Sequence, residues 1–174
     1  MTAVVRSPFD PPRESPVDEI DLGIIAQLQY DGRKPYTQIA EELGVTEATV
    51  RRRVNEMIRA GILQVVGIVE PFQLGIQAPA IIGVSVQPAL LNQAAEQIAE
   101  FDEVSYLLMT SGGFDLLVEV MCRDMDDLAR FISERLGQVP GVQRTETFLI
   151  LHTYKLSYRW GAPQRMPSAG RPSE

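Results

Sequence analysis

The chain has 174 residues, 45% of them hydrophobic and 22% charged, with a formal net charge of -7. This composition excludes collagen-like, coiled-coil and fully disordered chains, and no run of about 18 apolar residues is present to span a membrane. One cysteine, Cys122, and one histidine, His152, exclude a disulfide framework and a zinc cluster built within one chain, so no cofactor and no metal are expected.

The start, MTAVVRSPFDPP, lacks an apolar h-region and reads as a tail rather than a signal peptide. Seven of the 12 prolines fall in residues 1–17 and 161–174, which also lack hydrophobic periodicity; both are predicted to be disordered tails. Residues 18–62 carry six basic and eight acidic side chains, and residues 63–160 carry six and twelve. The acidity is therefore concentrated in the second half of the chain.

Residues 18–62 read as three helices. In Ile20–Tyr30, the positions Ile20, Ile24, Ile25 and Leu28 share one helical face, with Asp18 or Asp21 as N-cap and Asp31-Gly32 as the stop. A short second helix, Thr37–Leu43, has Thr37 as candidate cap and turns Ile39, Ala40 and Leu43 inward. After Gly44-Val45, Thr46 starts a third helix that runs to about Ala60, packs Val50, Val54, Met57 and Ile58, and stops at Gly61.

From Leu63 the period changes. Leu63–Val69 is β-rich and closed by Pro71, and Ala80–Val86, Val104–Thr110, Phe114–Met121 and Val142–Leu151 have strand length and composition. Between the first pair lies a helical pattern built on Leu91, Ala94, Ala95 and Ile98. Between the last pair lies another, with Met125, Leu128, Ile132 and Leu136, capped by Asp124. The order β-α-β-β-α-β, with right-handed crossovers, predicts a four-stranded antiparallel sheet with both helices on one face. A faint repeat supports it: Phe101-Asp102-Glu103-Val104 and Val139-Pro140-Gly141-Val142 occupy the same helix-to-strand corner. Apolar bulk on both faces, as in Ile81-Ile82 and Leu116-Leu117-Val118, predicts that a second subunit covers the other face.

The strongest local signal spans Tyr36 to Val54. A helix-turn-helix needs a small residue where its helices cross, a glycine in the turn and apolar residues around both. Ala40, Gly44, Ile39, Leu43, Val45 and Val50 fill those positions. The buried stripe of the third helix leaves Ala48, Thr49, Arg52, Asn55 and Arg59 outward, with Arg51 and Arg53 on the flanks. Residues at the start of such a helix reach base edges in the major groove, and arginines meet phosphate or guanine. The expected DNA contacts are Thr46, Glu47, Ala48, Thr49, Arg51, Arg52, Arg53 and Asn55.

These features resemble the leucine-responsive/asparagine regulator (Lrp/AsnC) family of feast/famine transcription factors. The likeness rests on Asp18-x-x-Asp21-x-x-Ile24, Asp31-Gly32-Arg33, the helix-turn-helix, Arg59-x-Gly61-Ile62-Leu63, Ser111-Gly112-Gly113-Phe114-Asp115 and Pro140-Gly141-Val142. The resemblance implies an α+β chain: a winged helix-turn-helix domain over residues 18–62, a linker strand over 63–78 that pairs across a dimer, and a βαββαβ ferredoxin-like (RAM/ACT-like) unit over 79–160. It further implies a cytoplasmic, nucleoid-associated, non-enzymatic homodimer that binds double-stranded DNA and assembles to tetramers or octamers.

The resemblance also implies a small effector, an amino acid, held at subunit interfaces by Gly112, Gly113, Phe114, Asp115, Thr145 and Thr147. Glycine amides suit a carboxylate, acidic or hydroxyl groups an ammonium, and Phe114 an apolar side chain. Gly113 stands where the family usually has aspartate, which removes one carboxylate. Read locally, the same residues are a hairpin turn whose glycines supply positive φ. Two other functions share part of this pattern: an architectural DNA-binding protein without an effector, and a sirohaem-decarboxylase-like enzyme. The latter relies on histidine and arginine, and this chain has one histidine. Of the remaining residues, Cys122 reads as a small buried hydrophobe, His152 as structural, Trp160 as covering an apolar edge, and Asp124, Asp126 and Asp127 as a helix start.

Overall fold

A computed structural model describes residues 17–159. Trp160 and the predicted tails lie outside the described residues except for Val17, which was expected in the first tail but packs against the core of the first unit. The chain divides into two units, one running to Gly67 and taking in the segment from Leu156, the other spanning Ile68–Lys155.

The first unit is three helices: α1 (Glu19–Tyr30), α2 (Tyr36–Leu43) and α3 (Glu47–Arg59). Both candidate caps of α1 are used. Asp18 is the N-cap and accepts from the Asp21 N–H at 2.9 Å, while the Asp21 carboxylate accepts from the Asp18 N–H at 3.1 Å, a reciprocal capping box. α2 starts at Tyr36 behind Pro35, whose φ of -59° already suits a helix start, so Thr37 is not its cap. Ile24, Ile39, Val50 and Val54 are fully buried, with Leu28, Ala40, Met57 and Leu63 around them. Ile58, expected in this core, is 44% exposed; the α3 stripe closes on Met57 instead.

No wing forms in this unit: it has no strand among the described residues. Leu63–Val69, expected to be a strand, has no regular structure, and the N–H groups from Gln64 to Glu70 find no backbone acceptor among the described residues. A strand needs a neighbour to complete its ladder, and the single chain supplies none here. Val65, Val66, Ile68 and Val69 are all exposed. Within the expected linker, Pro71–Leu74 forms a short 3₁₀ turn.

The second unit has the expected ferredoxin-like order: β1 (Ala78–Val86), α4 (Leu91–Ala99), β2 (Val104–Met109), β3 (Leu116–Cys122), α5 (Met125–Arg130) and β4 (Val142–Leu149). The strands are antiparallel in the order β2-β3-β1-β4. Ala80, Ile82 and Val84 of β1 and Leu116, Val118 and Val120 of β3 face Ala94 and Ile98 of α4 and Leu128, Phe131 and Leu136 of the second helical segment. Burying each large side chain of this kind contributes about 1.5–3 kcal/mol. The internal repeat is visible in hydrogen bonds: Val104 N–H donates to Phe101 C=O at 3.0 Å, and Val142 N–H to Val139 C=O at 3.1 Å.

The second helical segment departs from its predicted periodicity. α5 is followed by a π turn over Phe131–Arg135 and a 3₁₀ turn over Leu136–Gln138. Phe131 follows Leu128 into the core at the ordinary i+3 spacing, and the wider π turn then brings Leu136 in at i+5. Met125, predicted inward, is exposed at the first position of α5. Asp124 caps the helix as expected, accepting from the Asp127 N–H at 2.8 Å. Asp127 in turn accepts from the Arg123 side chain and N–H and from Arg130, and these bonds hold its carboxyl down at about 2. A depressed carboxyl stabilises the fold above its unfolded value, near 3.8, and that contribution is lost as pH falls toward 2. Urea midpoints between pH 4 and pH 2 should therefore fall less steeply in Asp127→Asn than in the parent chain, with the two profiles parallel above about pH 5. Identical acid limbs would remove Asp127 from this account.

Candidate DNA-reading helix and effector turn

The helix-turn-helix is shaped by two small residues and a turn. Gly44 adopts φ +66°, a left-handed conformation that glycine enters without strain, and the Val45 N–H donates back to Ala40 C=O at 3.0 Å. Ala40 is buried at the crossing, as expected. The second small residue was not anticipated: a Cβ on Gly23 of α1 would lie 2.7 Å from Leu43 Cδ2, so the absence of a side chain there lets α2 close onto α1. A glycine in the middle of an otherwise apolar helical pattern was the available signal.

Thr46 caps α3 through its hydroxyl, which accepts from the Thr49 N–H at 3.2 Å and lies 2.9 Å from the Thr49 hydroxyl. Ala48, Arg51, Arg52, Asn55 and Arg59 are exposed, and Glu47 and Thr49 are partly so. Arg51 pairs with Glu47 at 2.6 Å and lies over the Tyr36 ring at 5.5 Å, while Arg52 pairs with Glu56 at 2.8 Å. Both guanidiniums are more than half exposed, so these pairs contribute about 0–1 kcal/mol and exchange readily for another anion. Arg59 donates to Asn55 C=O on its own helix at 3.2 Å.

Arg53, also in the expected set, is placed differently from the other arginines of α3. Its guanidinium turns inward onto Asp18 at 2.6 Å and Asp21 at 3.0 Å, and only 20% of the side chain is exposed. Val50, Val54 and Met57 form the buried stripe of α3, and position 53 falls at its edge, within reach of the start of α1. These two carboxylates hold the guanidinium's proton more firmly than usual, and the Asp18 carboxyl is correspondingly lowered, first by its bond to the Asp21 N–H and then by Arg53.

In the second unit the Ser111–Asp115 turn joins β2 to β3. Gly112 has φ +146°, which L side chains avoid, whereas Gly113 does not have positive φ. Phe114 lies directly on Gly83 of β1, where a Cβ would come within 2.6 Å of its ring, and meets Phe148 edge-to-face at 6.2 Å. Arg144 lies over the same ring at 5.8 Å and pairs with Glu146 at 2.6 Å. Asp115 is committed to the fold: its carboxylate accepts from the Val86 N–H at 2.8 Å, and its own N–H donates to Val84 C=O. The Thr110 hydroxyl donates to Phe114 C=O at 2.7 Å.

Thr145 and Thr147 pair with Val84 and Ile82, whose side chains lie in the helix-covered core. They are therefore on the opposite face of the sheet from the Phe114 ring, and the single chain does not bring them together with it. Gly83, Arg144 and Phe148 meet Phe114 instead, and Glu146 pairs with Arg144. The signal was the period-two alternation along β4, which places Arg144, Glu146 and Phe148 on one face and both threonines on the other.

Cys122 is fully buried, and burial pushes its thiol up to about 11, leaving it inert at neutral pH. His152 holds no core position; it is exposed and lies edge-to-face with Tyr154 at 4.6 Å. Among the described residues no group of three or more metal-ligating side chains comes together, and no helix is long and apolar enough to cross a membrane.

A helix-turn-helix with an arginine-rich outward helix, joined in one chain to a ferredoxin-like unit, defines a DNA-binding transcriptional regulator. A family model of the AsnC-type helix-turn-helix domain matches residues 17–58, and one of the Lrp/AsnC ligand binding domain matches residues 79–160. The chain belongs to the Lrp/AsnC family. The HTH-type transcriptional regulator LrpA of Pyrococcus horikoshii is 36% identical over 140 residues, 80% of this chain and 99% of that protein. The structure of E. coli AsnC matches with a TM-score of 0.68 at 30% identity, covering 80% of this chain and 95% of that one. A Neisseria meningitidis transcriptional regulator solved as an L-methionine complex shares the fold, with a TM-score of 0.72 at 24% identity over 83% of this chain and 96% of that one. The family and these relatives are transcriptional regulators, not enzymes, which removes the decarboxylase alternative.

Proposed function

We propose that this regulator works as a homodimer, presents its two α3 helices to successive major grooves of double-stranded DNA, and responds to an amino acid bound at subunit interfaces beside the Gly112–Asp115 turn. The observation that carries the DNA half is the outward face of α3, where Arg51 and Arg52 are exposed and held only by acidic residues of their own helix. The DNA-contact set is Thr46, Glu47, Ala48, Thr49, Arg51, Arg52 and Asn55, without Arg53. Such a dimer reads imperfect palindromes about one helical turn apart, in the cytoplasm and on the nucleoid.

Dimerisation is supported by what the single chain leaves uncovered. Ile81, Tyr106, Leu108 and Phe148 are exposed on the helix-free side of the sheet, and the apolar Leu63–Val69 segment lacks a ladder partner. A second copy supplies both, and further association of dimers gives tetramers or octamers. Effector binding at such interfaces changes assembly, and through it DNA affinity, by linkage.

The effector is tested by thermal shift of the whole protein against each amino acid, followed by gel shift with and without any that binds. A true ligand at about 100 times its dissociation constant adds roughly 2.7 kcal/mol of apparent stability. One amino acid that both raises the melting temperature and changes the DNA complex is the expected result. No shift with any of them overturns the amino-acid assignment. Genome-wide footprints with a few sharp sites distinguish this regulator from an architectural protein, which would give broad coverage.

A further inference from the structure

Three of the four arginines of α3 project away from the unit, and the fourth faces into it. Arg51 and Arg52 meet partners on their own helix, Glu47 and Glu56, and Arg59 meets its own backbone. Arg53 reaches 35 and 32 residues back along the chain, to Asp18 and Asp21. Those carboxylates are also the capping box of α1. Each presents one oxygen to a backbone N–H of the cap and the other to the guanidinium: Asp18 gives Oδ1 to the Asp21 N–H and Oδ2 to Arg53, and Asp21 gives Oδ2 to the Asp18 N–H and Oδ1 to Arg53. Asp21 is itself buried, at 7% exposure. Withdrawing Arg53 would leave that carboxylate without its counter-charge, so this pair, unlike those of Arg51 and Arg52, does not open freely.

We propose that Arg53 is a positioning residue for DNA recognition: clamped by Asp18 and Asp21, it fixes the roll of α3 against α1 and so decides which α3 side chains reach base edges. The proposal rests on α3 being the DNA-reading helix. Phosphate contacts are made by long, flexible side chains to a repeating target and tolerate a small rotation of the helix. Bidentate base contacts do not tolerate it. Loosening the clamp therefore reduces discrimination between sequences more than it reduces total attraction to DNA.

The charges give this proposal a test of sign. Asp18→Asn and Asp21→Asn each keep the oxygen used by the cap and set an amide nitrogen against the guanidinium, so they disrupt the clamp while preserving the start of α1. Both also remove negative charge, which by electrostatics alone strengthens DNA binding. The probes are a duplex enriched from a random-sequence pool by the parent protein and a shuffled duplex of the same length. Affinities are measured across a salt series, well below each variant's melting temperature. We expect the Asp18→Asn/Asp21→Asn variant and Arg53→Gln to lose at least tenfold on the enriched duplex and to change less than twofold on the shuffled one. The salt slope should stay at the parent value, and Arg53→Lys should recover part of the discrimination.

A fall in salt slope of about 0.9 per contact for Arg53→Gln, with equal loss on both duplexes, makes Arg53 a phosphate contact and overturns the proposal. Tighter binding of both duplexes by the double asparagine variant overturns it as well. So does unchanged affinity for both in folded Arg53→Gln, which would leave the clamp a matter of stability alone. If Arg53→Gln does not fold, the asparagine variants decide. Arg52→Ala, run alongside, should weaken binding to both duplexes; if it does not, the assignment of α3 has failed, and that failure is seen separately from the fate of the clamp.

Discussion

Replacing Arg51 and Arg52 together by alanine is expected to weaken DNA binding more than any other pair of substitutions on the surface of the first unit. Each guanidinium is exposed and oriented, Arg51 by Glu47 and the face of Tyr36, Arg52 by Glu56. Exposed pairs of this kind contribute at most about 1 kcal/mol, so exchanging a glutamate for phosphate or guanine costs little. An arginine bidentate to guanine contributes about 1–3 kcal/mol of binding, and one on phosphate adds about 0.9 to the slope of log affinity against log salt. The double variant should thus bind one to several orders of magnitude less tightly and show a shallower salt dependence. Gel shifts between low and moderate salt read both quantities. A double variant with parent affinity and slope would remove these residues from the interface.

The second large effect is expected at Gly83→Val. The Phe114 ring occupies the space above Gly83 so closely that even a first side-chain carbon falls 2.6 Å from its atoms. The ring has little freedom to yield, because its backbone is pinned on both sides: Thr110 bonds Phe114 C=O, and Asp115 bonds the end of β1 through both its N–H and its carboxylate. A branched residue must therefore displace the turn or the strand. Overpacking of this kind costs about 1–3 kcal/mol, or roughly 4–8 °C of melting temperature per kcal/mol in a domain of this size. Phe114→Ala in the same chain should relieve much of the loss, so the two substitutions should be strongly non-additive in a double-mutant cycle. Additive effects, or a Gly83→Val chain as stable as the parent, would mean that the ring is not held there.

Periodicity made much of the fold legible before any coordinates. The Ala40–Gly44 spacing and the apolar ring around it define the helix-turn-helix, and the change from period 3.6 to period 2 after Leu63 marks the second unit. The pattern misled where one local choice shifts everything after it. Nothing in Phe131–Arg135 announces a π turn, yet that turn sets the spacing from Phe131 to Leu136 in the core. It misled again where structure needs a partner, since Leu63–Val69 has strand composition but no ladder in a single chain. The site was legible by element more than by side chain. A helical wheel places Arg53 on a flank, and only the fold shows that the flank faces two carboxylates. Similarly, Thr145 and Thr147 pair with core-facing Val84 and Ile82 of β1, whereas the Phe114 ring lies on Gly83, on the other face of the sheet.

The matched corners after α4 and before β4 divide the second unit into two copies of one strand–helix–strand pattern, closed by the same hydrogen bond. Every strand and helix then has a counterpart that constrains it, because a change in one half must still mate with the other. The Ser111–Asp115 turn is the joint between the copies and has no counterpart. Its tip, Gly112-Gly113, takes part in no strand pairing, so residues there can be exchanged without disturbing the match of the halves. The duplicated frame thus leaves the joint between its halves free to vary.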